Sequence, residues 1–188
     1  NFMLVKIPNK HLFYQVETLI FGKAYERAMY PERVIVGSAE PKIDLPEVYL
    51  SFLKAFNCPI LNMKYESAEL TKISINLFLL SSLSTANKMA EICENINADW
   101  HEIIPALKLD KRIGSHAYIS PGLGVAGGNL ERDLTTIRLL SKNKAIDYDL
   151  FSAFNKINKD RKSWVWKQLT KIFKDKIKKK IAILGLTY

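Results

Sequence analysis

The stretch that decides the fold is YESAELTKISINLFLLSSLSTANKMAEICENIN, residues 65–97, which runs without a single Gly or Pro. Its apolar positions (Leu70, Ile73, Leu77, Leu80, Leu83, Met89, Ile92, Cys93, Ile96) recur at helical spacing and cover more than one face. A helix of this kind is buried on several sides, either at the centre of a domain or across a dimer interface. Within it, Glu69, Lys72 and Asn76 sit at i, i+3 and i+7 and share one face. A Lys in so apolar a stretch needs a carboxylate, a ligand or a water cluster, and the plainest partner is an intrahelical Glu69.

Upstream of this helix the pattern changes. Residues 2–7 (FMLVKI) and 33–37 (RVIVG) read as short buried strands bounded by Pro and Gly, and residues 59–63 read as a third. Residues 16–29 and 45–56 have helical spacing, so the front part reads as the closing half of an α/β domain. Downstream, Asp99 opens a new helix with Glu102 three residues on as a capping box. A glycine-rich loop follows at residues 121–128, then helices over 129–141 and, long and amphipathic, over 148–173. Lys178-Lys179-Lys180 leads into an apolar run at 181–186 that reads as the first strand of a further α/β unit. The organisation expected is therefore 1–64, 65–177 and 178–188, the middle of a longer protein.

Of 188 residues, 28 are Lys or Arg and 19 are Asp or Glu, a net charge of +9. The excess is local. Residues 154–180 hold eleven basic side chains against Asp160 and Asp175, so the rest of the chain is neutral. A surface that is everywhere a polyanion-binding field is excluded, and no nucleic-acid partner is expected. At 48% hydrophobic residues with eight Gly and seven Pro, global disorder is excluded as well. No apolar run reaches membrane-spanning length. Cys58 and Cys93 have no paired spacing and no nearby His, which argues against a disulfide framework or a zinc site and for a reducing cytoplasm.

Gly122, Gly124 and Gly127 fit G-x-G-x-x-G, but residues 115–120 ahead of them are too polar and short for the strand that a dinucleotide fingerprint requires. A flexible loop whose backbone N–H groups approach a substrate is the better reading, beside the alternative of a merely tight connection. Asn129 is a good N-cap for the helix that follows, and Asp133 falls in its first turn, where the helix dipole favours a carboxylate. Arg112 can clamp an anion or form a structural ion pair. His11, His101 and His116 share no metal-like spacing.

Taken in order, these segments resemble the UDP-glucose/GDP-mannose dehydrogenase family over nearly the whole chain. Glu17-Thr18-Leu19-Ile20-Phe21-Gly22 is similar to its N-P-E-F-L-x-E-G segment, and Tyr30-Pro31-Glu32-Arg33-Val34-Ile35-Val36-Gly37 to its x-P-D-R-V-x-I-G. The most specific match is Glu66-Ser67-Ala68-Glu69-Leu70-Thr71-Lys72 with Asn76 and Phe78, which resembles E-x-A-E-L-x-K-x-x-x-N-x-F. Ala98-Asp99 and Leu109-Asp110-Lys111-Arg112-Ile113-Gly114 follow its A-D and D-x-R-I-G signatures.

The resemblance implies a mainly α central dimerisation domain, like the C-terminal domain of 6-phosphogluconate dehydrogenase, preceded by the last strands and helices of a Rossmann-like α/β domain. It implies an NAD-dependent oxidoreductase of the cytoplasm, a homodimer built through helix 65–97, whose relatives oxidise the C6 hydroxyl of a nucleotide sugar twice. There a cysteine captures the aldehyde as a thiohemiacetal, which loses hydride to give a thioester that water hydrolyses. Carried over by position, Lys72 and Asn76 are the oxyanion pair, Asp133 the carboxylate beside the nucleophile and Glu17 an acid/base or water-orienting residue. Arg112, supplied across the dimer, and the loop glycines Gly124 and Gly127 become substrate contacts. NAD would be held mostly by residues ahead of this chain.

The nucleophile itself departs from the pattern. Where the family reads G-x-G-G-S-C-x-x-K-D, Gly128 replaces the Ser and Asn129 stands at the Cys, while Phe21 replaces the second Glu of the first segment. An amide cannot form a thiohemiacetal, so a single-step oxidation or no oxidation is expected. The alternative is a non-catalytic dimeric paralogue that binds nucleotide sugars or serves assembly.

Overall fold

The computed structural model describes residues 12–20, 22–125, 128–173 and 180–184. The expected strand at 2–7 and His11 lie outside them, as do Phe21, Gly127 and most of the lysine-rich stretch before residue 180. The chain packs as two compact units, Asn1–Ile75 and Asn76–Tyr188.

Unit 1 is a three-stranded sheet in the order β1-β2-β3, where β1 is Tyr14–Gln15, β2 is Val34–Ser38 and β3 is Ile60–Lys64. Strands β2 and β3 run parallel, Val34 opposite Ile60, and are joined through helix α2 (Glu47–Lys54), since parallel neighbours need a crossover. All five residues of β2 are buried, as a central strand covered on both faces requires. Alternation sorts its side chains: Val34 and Val36 pack with Leu45 and Leu53 on one face, Ile35 with Val16 and Ala68 on the other.

The expected helix over 16–29 is corrected. Tyr14 and Gln15 pair antiparallel with Gly37 and Val36, and Val16 continues the edge by donating its N–H to the Ile35 carbonyl at 3.0 Å. Gly22, at φ 80°, then turns the chain, leaving only Ala24–Met29 as helix α1. A β-branched residue whose amide and side chain both find the sheet gains more there than in a short exposed helix.

Helix α3 is Tyr65–Ile96, close to the expected 65–97. The unit division falls at Ile75/Asn76, inside this helix rather than ahead of it, because Ala68 belongs to the core under β2. Gly37 makes that approach possible, since a Cβ there would meet the Ala68 Cβ at 2.9 Å and the Tyr65 Cα at 3.2 Å.

Unit 2 is helical: the rest of α3, then α4 (Trp100–Leu109), α5 (Gly128–Asn143), α6 (Asp149–Lys162) and α7 (Trp164–Ile172). Asp99 caps α4 as expected, its Oδ1 accepting the His101 N–H at 2.8 Å. One core joins Ala86, Ala90 and Cys93 to Trp100 and Ile119; the other joins Leu80 to Val125, Leu134 and Phe154. Phe78, Met89, Ile92 and Ile96 of α3 stay exposed within the chain. Within a single copy α3 is thus buried where it meets these cores and open along that stripe.

The long helix expected over 148–173 is two. At Ser163 the backbone N–H bonds to the Asp160 carbonyl at 3.2 Å and the hydroxyl donates to the same oxygen at 2.7 Å, so side-chain competition ends α6. Helix α5 also starts one residue early, at Gly128, which places Asn129 inside the first turn instead of at the cap. Residues 180–184 lie in no strand, with Leu184 97% exposed. Among the described residues no helix is long and apolar enough to cross a membrane.

Two substitutions test this packing. Gly37→Ala should destabilise the protein by about 1–3 kcal/mol, because the added methyl meets Ala68 and backbone rather than a flexible tip. Leu53→Ala, at a fully buried position, should cost about 2–5 kcal/mol in urea denaturation, whereas Val48→Ala on the exposed side of α2 should stay within about 0.5 kcal/mol.

Candidate functional site

Asn76 projects from α3 and Asp133 from α5, and the two meet: the Asn76 Nδ2 donates to Asp133 Oδ2 at 2.6 Å. Asp133 is 7% exposed, so this is a charge-assisted bond that satisfies a carboxylate held away from water. Its other oxygen lies 3.5 Å from the Arg132 Nε, on a side chain that is largely exposed. The first-turn capping role expected for Asp133 is corrected. With α5 starting at Gly128, Asp133 sits in the second turn and spends its charge on α3, not on the α5 N-terminus.

Lys72 lies one turn before Asn76 on the same helix and is half-buried. The expected Glu69 to Lys72 pair is not formed: among the described residues Lys72 has no ion pair, and Glu69 points to solvent. Asn129 occupies the first turn of α5 and is exposed. At i and i+4 it shares a side of α5 with Asp133. The structure therefore brings Asn76 and Asp133 together, with Asn129 one turn before Asp133 on α5.

The glycine-rich loop answers to different neighbours from those expected. Gly122 donates its N–H to Asn87 Oδ1 at 2.8 Å and accepts from Arg161 Nε at 2.6 Å. Val125 donates to Asn158 Oδ1 at 2.6 Å. Gly124, at φ 102°, is pressed so closely to α6 that a Cβ would stand 2.7 Å from Asn158 Oδ1. The Gly122 and Val125 amides are thus taken up by side chains, and the glycine at 124 serves the approach to α6. Gly127 lies outside the described residues. The same commitments bear on the dinucleotide question: among the described residues no strand leads into Gly122, and those two amides are unavailable to a pyrophosphate, so this part of the loop does not fit NAD. No contact to that cofactor is assigned to the described residues.

Arg112 is 89% exposed and clamps its neighbour Asp110, Nε to Oδ1 at 3.0 Å and Nη2 to Oδ2 at 2.6 Å. The hydrogen bonds from Arg112 hold the Asp110 carboxyl below the usual carboxylate range. Glu17, in unit 1, accepts the Thr18 N–H at 2.8 Å and is exposed. No group of His, Cys, Asp and Glu among the described residues could hold a metal ion, and both cysteines are free thiols.

The residues that sequence reasoning missed are those of the clamp: Asn87, Glu131, Asn158 and Arg161. Their signal is present on α6, where Phe154, Asn158 and Arg161 follow i, i+4, i+7, a polar amide and a cation set in an otherwise apolar row. All three are buried. The basic segment is accordingly not a uniformly solvated face. Arg161 holds the loop and stacks 4.8 Å above the Trp164 ring, and Lys162 pairs with Glu131 at 2.5 Å. That pairing, with the Asn158 amide, keeps the Glu131 carboxyl below its ordinary range.

Comparison with known proteins bears on the family and the fold. The profile of the UDP-glucose/GDP-mannose dehydrogenase family, central domain, matches residues 66–160. A UDP-glucose 6-dehydrogenase of Rickettsia bellii (strain RML369-C) is 33% identical over 175 residues, covering 92% of this chain and 40% of the relative. Among solved structures, a UDP-glucose dehydrogenase from the hyperthermophilic archaeon Pyrobaculum islandicum matches with a TM-score of 0.75 at 27% identity, covering 86% of this chain and 37% of that one. A UDP-D-ManNAc dehydrogenase from Pyrococcus horikoshii, TM-score 0.70 at 21% identity and 86% coverage of this chain against 37% of its own, shares the fold. The chain spans about 40% of the length of the relatives it matches. With a family profile spanning the helix of Lys72 and Asn76, the loop and the carboxylate that Asn76 holds, the chain belongs to the UDP-glucose/GDP-mannose dehydrogenase family.

Proposed function

We propose that this chain is the central part of a cytoplasmic nucleotide-sugar dehydrogenase that carries oxidation at C6 only to the aldehyde. The observation that supports the reading best is the Asn76 to Asp133 hydrogen bond beside Asn129. The polar pair is retained while the position of the nucleophile carries an amide.

The alcohol step needs a base for the O–H proton and an acceptor for the C–H hydride. The bond order between C6 and oxygen rises from one to two, and the sugar loses two electrons and two hydrogens. When bound, NAD supplies the hydride acceptor. In this chain, Lys72 and Asn76 stabilise negative charge as it develops on the C6 oxygen, and Asp133, held by Asn76, draws the departing proton by way of water. The second oxidation by the family route needs a C–S bond, which Asn129 cannot supply, because a carboxamide is no nucleophile at neutral pH. Its Nδ2 can only donate a hydrogen bond to the aldehyde oxygen. Arg112, supplied across the dimer, contacts the sugar nucleotide in this reading, whereas Gly124 serves the packing of the loop on α6. The exposed stripe Phe78, Met89, Ile92 and Ile96 supports a homodimer through α3.

Three outcomes test it. Full-length protein given NAD and a panel of UDP- and GDP-sugars should release an aldehyde, trapped by hydroxylamine as an oxime and seen by mass spectrometry. A uronate as the sole product would sink the single-step reading, and sugar binding without any NADH would select a non-catalytic binding subunit instead. Asn129→Cys should restore uronate formation. Lys72→Ala should lower kcat by about 10²–10³-fold with the melting temperature essentially unchanged, as expected for the loss of one oxyanion contact.

A further inference from the structure

We infer that Asn158 is a positioning residue that fixes the rotation of α5, and through it the placement of Asp133 and Asn129. The inference rests on the reading of that edge of α5 as the reacting one. Asn158 is 7% exposed and uses both ends of its amide: Oδ1 takes the Val125 N–H at 2.6 Å, and Nδ2 gives a hydrogen to Glu131 Oε1 at 3.2 Å. Val125 lies before position 129 and Glu131 after it, so one side chain grips the backbone on one side and the helix on the other. A carboxamide alone places a donor and an acceptor together on so short a stem; Asp lacks the donor and Ser the reach.

The geometry of α5 makes this grip matter. At 100° per residue, Glu131 and Asp133 lie on nearly opposite sides of the helix. The Glu131 to Asn158 bond therefore holds α5 from one side while the Asp133 to Asn76 bond holds it from the other. A rotation that breaks the first also moves the Asp133 carboxylate off Asn76. Lys162 steadies Glu131 from the next position along the α6 stripe, and Gly124 is bare so that Asn158 can come close. The Lys162 to Glu131 pair is half-exposed on both sides, so by itself it contributes little.

The test uses full-length protein and three variants, with steady-state kinetics and amide hydrogen exchange read together. Asn158→Ala should speed exchange at Val125 and across residues 128–133 by about tenfold and lower kcat by about 10²-fold, while KM for the sugar stays within about threefold. A merely structural role would lower the melting temperature and leave kcat per folded molecule intact. Glu131→Gln, which keeps the acceptor for Asn158, should retain kcat within about threefold, and Glu131→Ala should not. Should Asn158→Ala fail to fold, Glu131→Ala on the exposed partner carries the same comparison. Faster exchange with unchanged kcat overturns the inference, as does unchanged exchange. Wild-type protein that forms no NADH defeats the functional reading instead, and the exchange of residues 129–133 in Asn158→Ala then decides the positioning alone.

Discussion

A carboxylate that is 7% exposed must be met by donors, and in this chain Asp133 is met by Asn76. An unpaired charge in that place would cost several kcal/mol or neutralise itself, so the bond constrains everything around it. It ties the face of α5 that carries Asp133 to α3. The apolar contacts of Leu80, Val125, Leu134 and Phe154 then close around that face. Packing supplies most of the stability, whereas the polar pair supplies the orientation.

The glycine-rich loop follows the same logic with different atoms. Gly122 and Val125 spend their amides on Asn87 and Asn158, and Gly124 gives up a side chain so that α6 can approach. A loop anchored in this way is a structural part of the site, and its glycines reflect backbone contact with α6 more than access for a ligand. The charge excess changes meaning as well. Arg161 is buried against the loop, and the charge of Lys162 is balanced by Glu131 of α5.

Much of this was legible in the sequence where a single period dominated. Helix α3 announced itself through unbroken helical spacing without Gly or Pro, and β2 through a β-branched run that has to be buried on both faces. Residues 16–29 misled because a helical period in a short segment cannot compete with an open sheet edge, which only the tertiary structure reveals. The break at Ser163 depended on a hydroxyl bonding one carbonyl, an effect no periodicity carries. For the site, Lys72, Asn76 and Asp133 stood out through their motif, yet the geometry of Asp133 did not. Its role turned on a helix start displaced by one residue, and on a contact 57 positions away in the sequence.

In the proposed reaction the amide at position 129 ends oxidation at the aldehyde. The most direct measurement is the stoichiometry of a single turnover: excess full-length protein, saturating NAD, a limiting amount of nucleotide sugar and the absorbance of NADH at completion. One NADH per sugar is the predicted result. Two per sugar would contradict it, since both oxidations would then proceed without the thiol.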